Sequence, residues 1–174
     1  RQELMVLKVP DYARMFGMNG DRMTPGIAVS NSEVGIMAFS IEAFFYRLVC
    51  SNGLISKTQV ASRFRHVSLK ALDAFNDIVR QVIYESQQNQ ERLALSTETR
   101  VNDPLATIGS FNRQFQLTKK EAEAVERGWT YEQGSTMFNV INAYTRAAQD
   151  SSLTGEEAHK LERVGGEILA LVKR

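Results

Sequence analysis

The hydrophobic period of the chain changes within residues 68–90, SLKALDAFNDIVRQVIYESQQNQ. Apolar residues recur there every three or four positions, which is the spacing of one face of an α-helix. Upstream, the apolar runs are short, rich in β-branched and aromatic residues, and separated by turn-forming residues. The change predicts a β portion, residues 1–67, and a helical portion, residues 68–174. Because no Pro/Gly/Ser-rich linker separates them, we expect one compact domain.

The β portion predicts an antiparallel β-meander of three or four strands, so the predicted fold class is α+β. Asn31–Gly35 is a polar turn between two apolar runs, and Asn52-Gly53 is a strong turn signal because both residues tolerate positive φ. The predicted strands are Leu4–Val9, Pro25–Val29, Ile36–Val49 and, as the optional fourth, Gln59–Val67.

The helical portion predicts about five helices from its start and stop signals. The first continues to about residue 90, and Gly128 is expected to end the third. Gly165-Gly166 inside the last helix predicts close packing or a bend. The start signals of the other four helices are Asp103-Pro104, the capping box of Thr118 with Glu121, Ser135, and the capping box of Thr154 with Glu157.

Composition excludes several classes of protein. The net charge is +1, from 21 basic and 20 acidic residues, so the chain is not basic throughout. Cys50 is the only cysteine, which excludes an internal disulfide and favours a reducing, cytoplasmic compartment. No apolar stretch is long enough to span a bilayer. The chain begins at Arg1 with a strand-like sequence close behind it, which predicts a fragment of a longer chain.

No pattern in the sequence indicates catalysis, a metal site or a cofactor site. His66 and His159 are the only histidines and have no ligand partners at metal-binding spacing. Glycines do not cluster ahead of a helix as a phosphate-binding loop requires. An enzyme is therefore disfavoured, and we expect no cofactor.

One stretch, here called the basic segment (residues 57–70), concentrates positive charge. No acidic residue occurs from Lys57 until Asp73. Such a stretch can follow a phosphate backbone, or it can be a solvated face whose charges pair elsewhere in the fold. Arg47, which follows three consecutive aromatic residues, is a further candidate contact. The candidate nucleic-acid-binding residues are Lys57, Arg63, Arg65, His66, Lys70 and Arg47.

Three stretches together resemble the phage- and plasmid-associated family called domain of unknown function 932. They are Ser30–Gly35, then Tyr46–Leu54 with the Arg65-His66 pair, and finally Trp129 with Gly134-Ser135-Thr136 and Asn142–Thr145. The resemblance covers residues 4–146 and implies a mobile-element setting without an established activity. The motif residues singled out are Asn31, Ser32, Glu33, Gly35, Asn52, Gly53, Trp129 and Asn142.

Two functions from different classes follow. The first is nucleic-acid binding, with single-stranded DNA preferred, through the β-meander and the basic segment. The alternative is an assembly or regulatory protein that acts through protein contacts, including contacts in a homo-oligomer. The alternative predicts a large exposed apolar patch, whereas the first predicts that the basic residues lie on one exposed face.

Overall fold

The computed structural model describes two kinds of region. Strand backbones are described in residues 2–8, 14–16, 21–32, 40–47 and 52–55. Side chains are described for the helical residues Asp77, Arg80 and Tyr84 and for the continuous range 88–173, here called the helical body.

The strands form one five-stranded antiparallel sheet in which β3 is the longest strand. The order is β1-β3-β4-β5, and β2 also pairs with β3. Thr24 and Pro25 pair with neither β1 nor β2, which suits a proline because it has no N–H to donate to a ladder. The strands are β1 (Gln2–Lys8), β2 (Arg14–Phe16), β3 (Asp21–Ser32), β4 (Ser40–Arg47) and β5 (Asn52–Ile55).

Five helices form the helical body, and the chain between 88 and 173 contains no strand apart from an isolated bridge between Arg100 and Thr136. β5 lies against α5 and α4. The helices are α1 (residues 88–98), α2 (Pro104–Gln114), α3 (Lys119–Glu132), α4 (Met137–Ala147) and α5 (Gly155–Leu171).

The predicted fold class, α+β with a meander of three or four strands, is wrong. The region whose side chains are described contains helices and no named strand. The sheet, of which the structure describes the backbone, has five strands whose order is not that of a simple meander. Asn52 and Gly53, predicted to form a turn, are strand residues that pair with Arg47 and Tyr46. Asn and Gly tolerate positive φ but do not require it, so pairing with β4 decides their conformation. The predicted strand Gln59–Val67 lies outside the described residues.

The helix starts were largely predicted correctly because caps act locally. Asp103 Oδ1 accepts a hydrogen bond from the Ala106 N–H at 2.9 Å, and Pro104 is the first helical residue. Both predicted capping boxes are present, at Thr118 and at Thr154. Gly128 does not end α3, which continues to Glu132.

α4 is the central helix, and most of its residues are buried. Its neighbour α3 buries a stripe at helical spacing that includes Ala124, Gly128 and Trp129. A Cβ built on Gly128 would collide with the carbonyl oxygen of Ala143 and lie 3.0 Å from the amide nitrogen of Ala147. At Gly128 the backbones of α3 and α4 are therefore too close to leave room for a side chain, and the lack of one permits that packing.

Candidate functional site

Five of the six candidate nucleic-acid-binding residues lie outside the described residues. Arg47 is the last residue of β4, where it pairs with Met23 on β3 and Asn52 on β5. The residues outside the described ranges are Lys57, Arg63, Arg65, His66 and Lys70.

The family-motif residues are divided between the sheet and the helical body. Asn31 and Ser32 end β3, where they pair with Glu3 and Gln2 of β1. Asn52 and Gly53 begin β5. The remaining motif residues of the β portion, Glu33 and Gly35, lie outside the described residues.

Trp129 and Asn142, the two motif residues in the helical body, are both buried. Trp129 belongs to the hydrophobic core, on the stripe of α3 that faces inward. Asn142, on α4, is 3% exposed, and its Nδ2 has no hydrogen-bond partner. An asparagine side chain can donate through its Nδ2 atom and accept through its Oδ1 atom. The donor end of Asn142 is therefore buried without an acceptor.

The N-termini of α3 and α5 are joined by a reciprocal pair of charged contacts. Glu121, the capping-box glutamate of α3, accepts hydrogen bonds at 2.7 Å from the Thr118 N–H and from Lys160 Nζ on α5. Glu157, the capping-box glutamate of α5, accepts at 2.7 Å from Lys120 Nζ on α3. Each carboxylate thus caps its own helix and binds the lysine of the other. The two helix starts are held side by side by contacts that depend on charge.

These contacts lower carboxylate pKa values. Burial raises the pKa of Glu121, but hydrogen bonds from Lys160 and Thr118 outweigh that effect and leave the pKa below its usual value. The hydrogen bond from Lys120, with that of the Thr154 N–H, lowers the pKa of Glu157 to about 2.

A third charged contact connects α3 to the loop between α4 and α5. Arg127 Nε lies 2.7 Å from Asp150 Oδ2, and the Ser152 N–H donates to Asp150 Oδ1 at 2.9 Å. The hydrogen bonds from Arg127 and Ser152 hold the pKa of Asp150 well below its usual value. Three ion pairs thus connect α3 to α5 and to the loop before it.

Burial shifts two other groups in the opposite direction. Burial raises the pKa of Glu162, on α5, to about 7. Burial also raises the pKa of the Tyr144 hydroxyl. That hydroxyl lies 2.8 Å from Asn112 Oδ1 and 3.1 Å from the Ile108 carbonyl oxygen, so it donates to acceptors on α2. Tyr144 thereby fastens α4 to α2, which is a structural role.

An exposed surface lies beside the last turn of α3; we call it the corner surface and define it as Arg100, Tyr131, Ser135 and Arg146. The Tyr131 side chain, in the last turn of α3, is 72% exposed. The guanidinium carbon of Arg146 lies 4.9 Å from the centre of its ring. Arg100 Nη1 donates to Ser135 Oγ at 2.7 Å. Sequence reasoning missed this surface; the available signal was that Tyr131 stands outside the buried stripe of α3.

Other kinds of site are not seen in the described parts of the chain. Among those residues, no group of three or more His, Cys, Asp or Glu side chains is placed to hold a metal ion. Likewise, no described helix is both long and apolar enough to cross a membrane. The arrangements that remain are ion pairs between helices and the corner surface, which combines an aromatic ring with two cationic side chains.

Comparison with known proteins identifies the family. The family described as a domain of unknown function (DUF932) matches residues 1–167. The chain belongs to this family. The resemblance predicted from sequence motifs over residues 4–146 is confirmed, and the DUF932 match extends it into α5. No curated protein and no solved structure matches the chain.

Proposed function

We propose that this member of the DUF932 family binds single-stranded nucleic acid through the basic segment, in the phage- or plasmid-borne setting that its motifs imply. The carrying observation is the distribution of charge. Residues 57–72 contain four basic residues and no acidic residue, so the other residues of a chain with net charge +1 carry −3. The net positive charge of the chain is therefore concentrated in one short stretch instead of being spread over the protein.

The composition of the helical body supports this location. Residues 88–173 contain ten basic and twelve acidic residues, a net charge of −2. Several of those cations are already paired, including Lys120, Arg127 and Lys160. A body that is slightly acidic repels phosphate at long range, so a nucleic acid is attracted to the basic segment.

Single strands fit the sequence better than duplex DNA. Phe44-Phe45-Tyr46 precedes Arg47 on β4, and aromatic side chains on a sheet beside cations are a common platform for unpaired bases. The charge of the segment supplies affinity, and because phosphates are common to every sequence, we expect little sequence preference.

The alternative, an assembly or regulatory role through protein contacts, remains a prediction. The exposed large apolar side chains of the described residues lie on different parts of the chain. They are Tyr84, Leu105 on α2, Tyr131 on α3 and Leu171 on α5.

The test is binding of a labelled oligothymidine and of a duplex across a salt series. Three or four phosphate contacts by the basic segment give a slope of log affinity against log salt of about −2 to −3, since each contributes roughly −0.7. Replacing Arg63 and Arg65 together by Gln should weaken binding and reduce the slope by about 1.4.

The matched control replaces two exposed cations of the helical body, Arg163 and Lys173, by Gln. It removes the same charge from a different place, so it should change affinity much less. The proposal fails if the wild-type protein does not bind at low salt, or if the two double variants lose affinity equally.

A further inference from the structure

The corner surface is formed by chain segments whose backbones are firmly positioned. The Val101 N–H donates to the Ser135 carbonyl and the Met137 N–H donates to the Thr99 carbonyl, both at 2.9 Å. These bonds place the end of α1 beside the start of α4 and bring Arg100 to Ser135. Tyr131 precedes Ser135 by four residues, so their Cα atoms lie within about 15 Å of each other. Arg100 and Ser135 therefore lie near the stacked pair of Tyr131 and Arg146.

Tyr131 presents an aromatic ring to solvent in a fixed orientation. Its neighbours Trp129 and Glu132 are buried on the inner side of α3, so the backbone of this turn is anchored in the core. Arg146, anchored on α4 between the buried residues Thr145 and Ala147, covers one face of the ring. An aromatic ring stacked on a guanidinium is ordered before any ligand arrives, and this reduces the entropy lost on binding.

Two arginines contribute positive charge to the corner surface. Arg100 is exposed, and its hydrogen bond to Ser135 uses one of the five N–H donors of the guanidinium. Stacking engages the plane of the Arg146 guanidinium and does not use its N–H donors, which lie at the edge of the group. The carboxylate nearest to Tyr131 in sequence belongs to Glu132, which is 8% exposed.

We propose that the corner surface is a second contact for single-stranded nucleic acid, at which a base stacks on the open face of Tyr131 and Arg100 and Arg146 contact the neighbouring phosphates. Stacking on an aromatic ring accepts any base, because every base has a π-face. The corner surface thus suits the same unspecific ligand as the basic segment. This inference rests on the proposed function. It adds a surface on which a base can stack to the basic segment, which attracts phosphates.

The decisive measurement compares the affinity of the full wild-type chain for oligothymidine with the affinities of three single variants. They are Tyr131→Ala, Tyr131→Phe and Tyr84→Ala. Tyr131→Ala should weaken binding about fivefold or more, the loss expected when one base is no longer stacked. Tyr131→Phe keeps the ring and should bind as the wild type does. Tyr84→Ala is the matched control, because Tyr84 is an equally exposed tyrosine on another part of the chain.

A second arm tests the charges. The double variant Arg100→Gln/Arg146→Gln should reduce the salt slope by about 1.4, as two lost phosphate contacts require. Melting temperatures of all variants should match that of the wild type within error, since the substituted side chains are at the surface. A variant with a lower melting temperature is replaced by Tyr131→Phe/Arg100→Gln, in which the ring at position 131 still stacks on Arg146.

The outcomes separate this inference from the proposed function. Loss of affinity in Arg63→Gln/Arg65→Gln with unchanged affinity in Tyr131→Ala overturns the corner surface alone. The reverse pattern supports the corner surface and overturns binding by the basic segment. No binding by the wild type overturns both. If Tyr131→Ala abolishes self-association in sedimentation experiments and leaves DNA affinity unchanged, the surface serves protein contacts and the inference is wrong.

Discussion

α3 contacts its two neighbours in opposite ways. Towards α4 it presents small and apolar residues, and the backbones meet at Gly128 without room for a methyl group. Towards α5 and the loop before it, α3 presents Lys120, Glu121 and Arg127, each in an ion pair of 2.7 Å. The first interface depends on shape and the second on charge. One helix thus has a side that is insensitive to pH and salt and a side that both can weaken.

The largest effect is expected from adding a methyl group to the shape-dependent interface. Gly128→Ala should lower the free energy of unfolding by about 2 kcal/mol or more, because the new Cβ meets backbone atoms that cannot move aside. Urea denaturation measures the change.

Gly109→Ala is the matched control for that experiment. On α2, a Cβ at Gly109 would have its nearest neighbour at 3.9 Å, the end of the Arg113 side chain. The substitution should therefore raise stability by about 0.5–1 kcal/mol, the usual gain from alanine inside a helix. If both variants changed stability in the same direction, close packing of α3 on α4 at Gly128 would be wrong.

A smaller effect is expected at the charge-dependent interface. Lys160→Met leaves the Glu121 carboxylate, whose side chain is 3% exposed, without its cation. The loss should be about 1–2 kcal/mol, since the Thr118 hydrogen bonds remain.

Lys119→Met provides the comparison within the same helix. Lys119 lies 3.9 Å from Glu123, and both side chains are largely exposed. Its loss should change stability by less than about 0.5 kcal/mol. Equal losses in Lys119→Met and Lys160→Met would show that the joining of α3 to α5 does not depend on the buried carboxylate.

The smallest expected effect is a loss of folding stability at low pH, and the pH range over which it occurs distinguishes it from the other effects. The folded-state pKa values of Glu121, Asp150 and Glu157 lie below their unfolded values, so each contributes stability above its unfolded pKa that is lost as the pH falls through its folded pKa, which for Glu157 is about 2. Burial raises the pKa of Glu162 to about 7, so its effect has the opposite sign: the stability it contributes at low pH is lost as the pH rises from about 4.5 to 7.

Lys120→Met tests the acid effect on one carboxylate. It removes the cation that lowers the pKa of Glu157, so the variant should be less stable than the wild type at pH 6, and the difference should shrink as the pH falls and vanish below about pH 2. Denaturation at several pH values measures it. A difference that stays constant across this range would mean that Lys120 acts through packing.

The helix starts could be predicted because their signals are short-range. A side chain that caps a helix bonds to a backbone three residues away, so Thr118 with Glu121 and Thr154 with Glu157 are visible in the sequence. The end of α3 could not be predicted the same way. Glycine commonly ends a helix, but Gly128 continues one, because its role is set by Ala143 and Ala147 on another helix.

In the sheet and in the candidate surfaces, too, contacts between residues distant in sequence could not be predicted. Asn52-Gly53 has the composition of a turn, and pairing with β4 makes it a strand. The charge of the basic segment is evident from composition, since charge can be counted along a chain. The corner surface is not evident from composition, because Arg100, Tyr131 and Arg146 lie in three separate parts of the chain that only the fold brings together.

The sequence by itself determined the family, the helix caps, the presence of about five helices, and the concentration of positive charge in residues 57–70. These features arise from neighbouring residues, whose interactions hold in any fold. The tertiary structure alone decided that Gly128 is a packing contact, that each capping glutamate also binds the lysine of the other helix, and that Tyr131 stands beside two arginines. Contacts between residues distant in sequence depend on how helices pack, and helix packing is settled by the shape of the whole core.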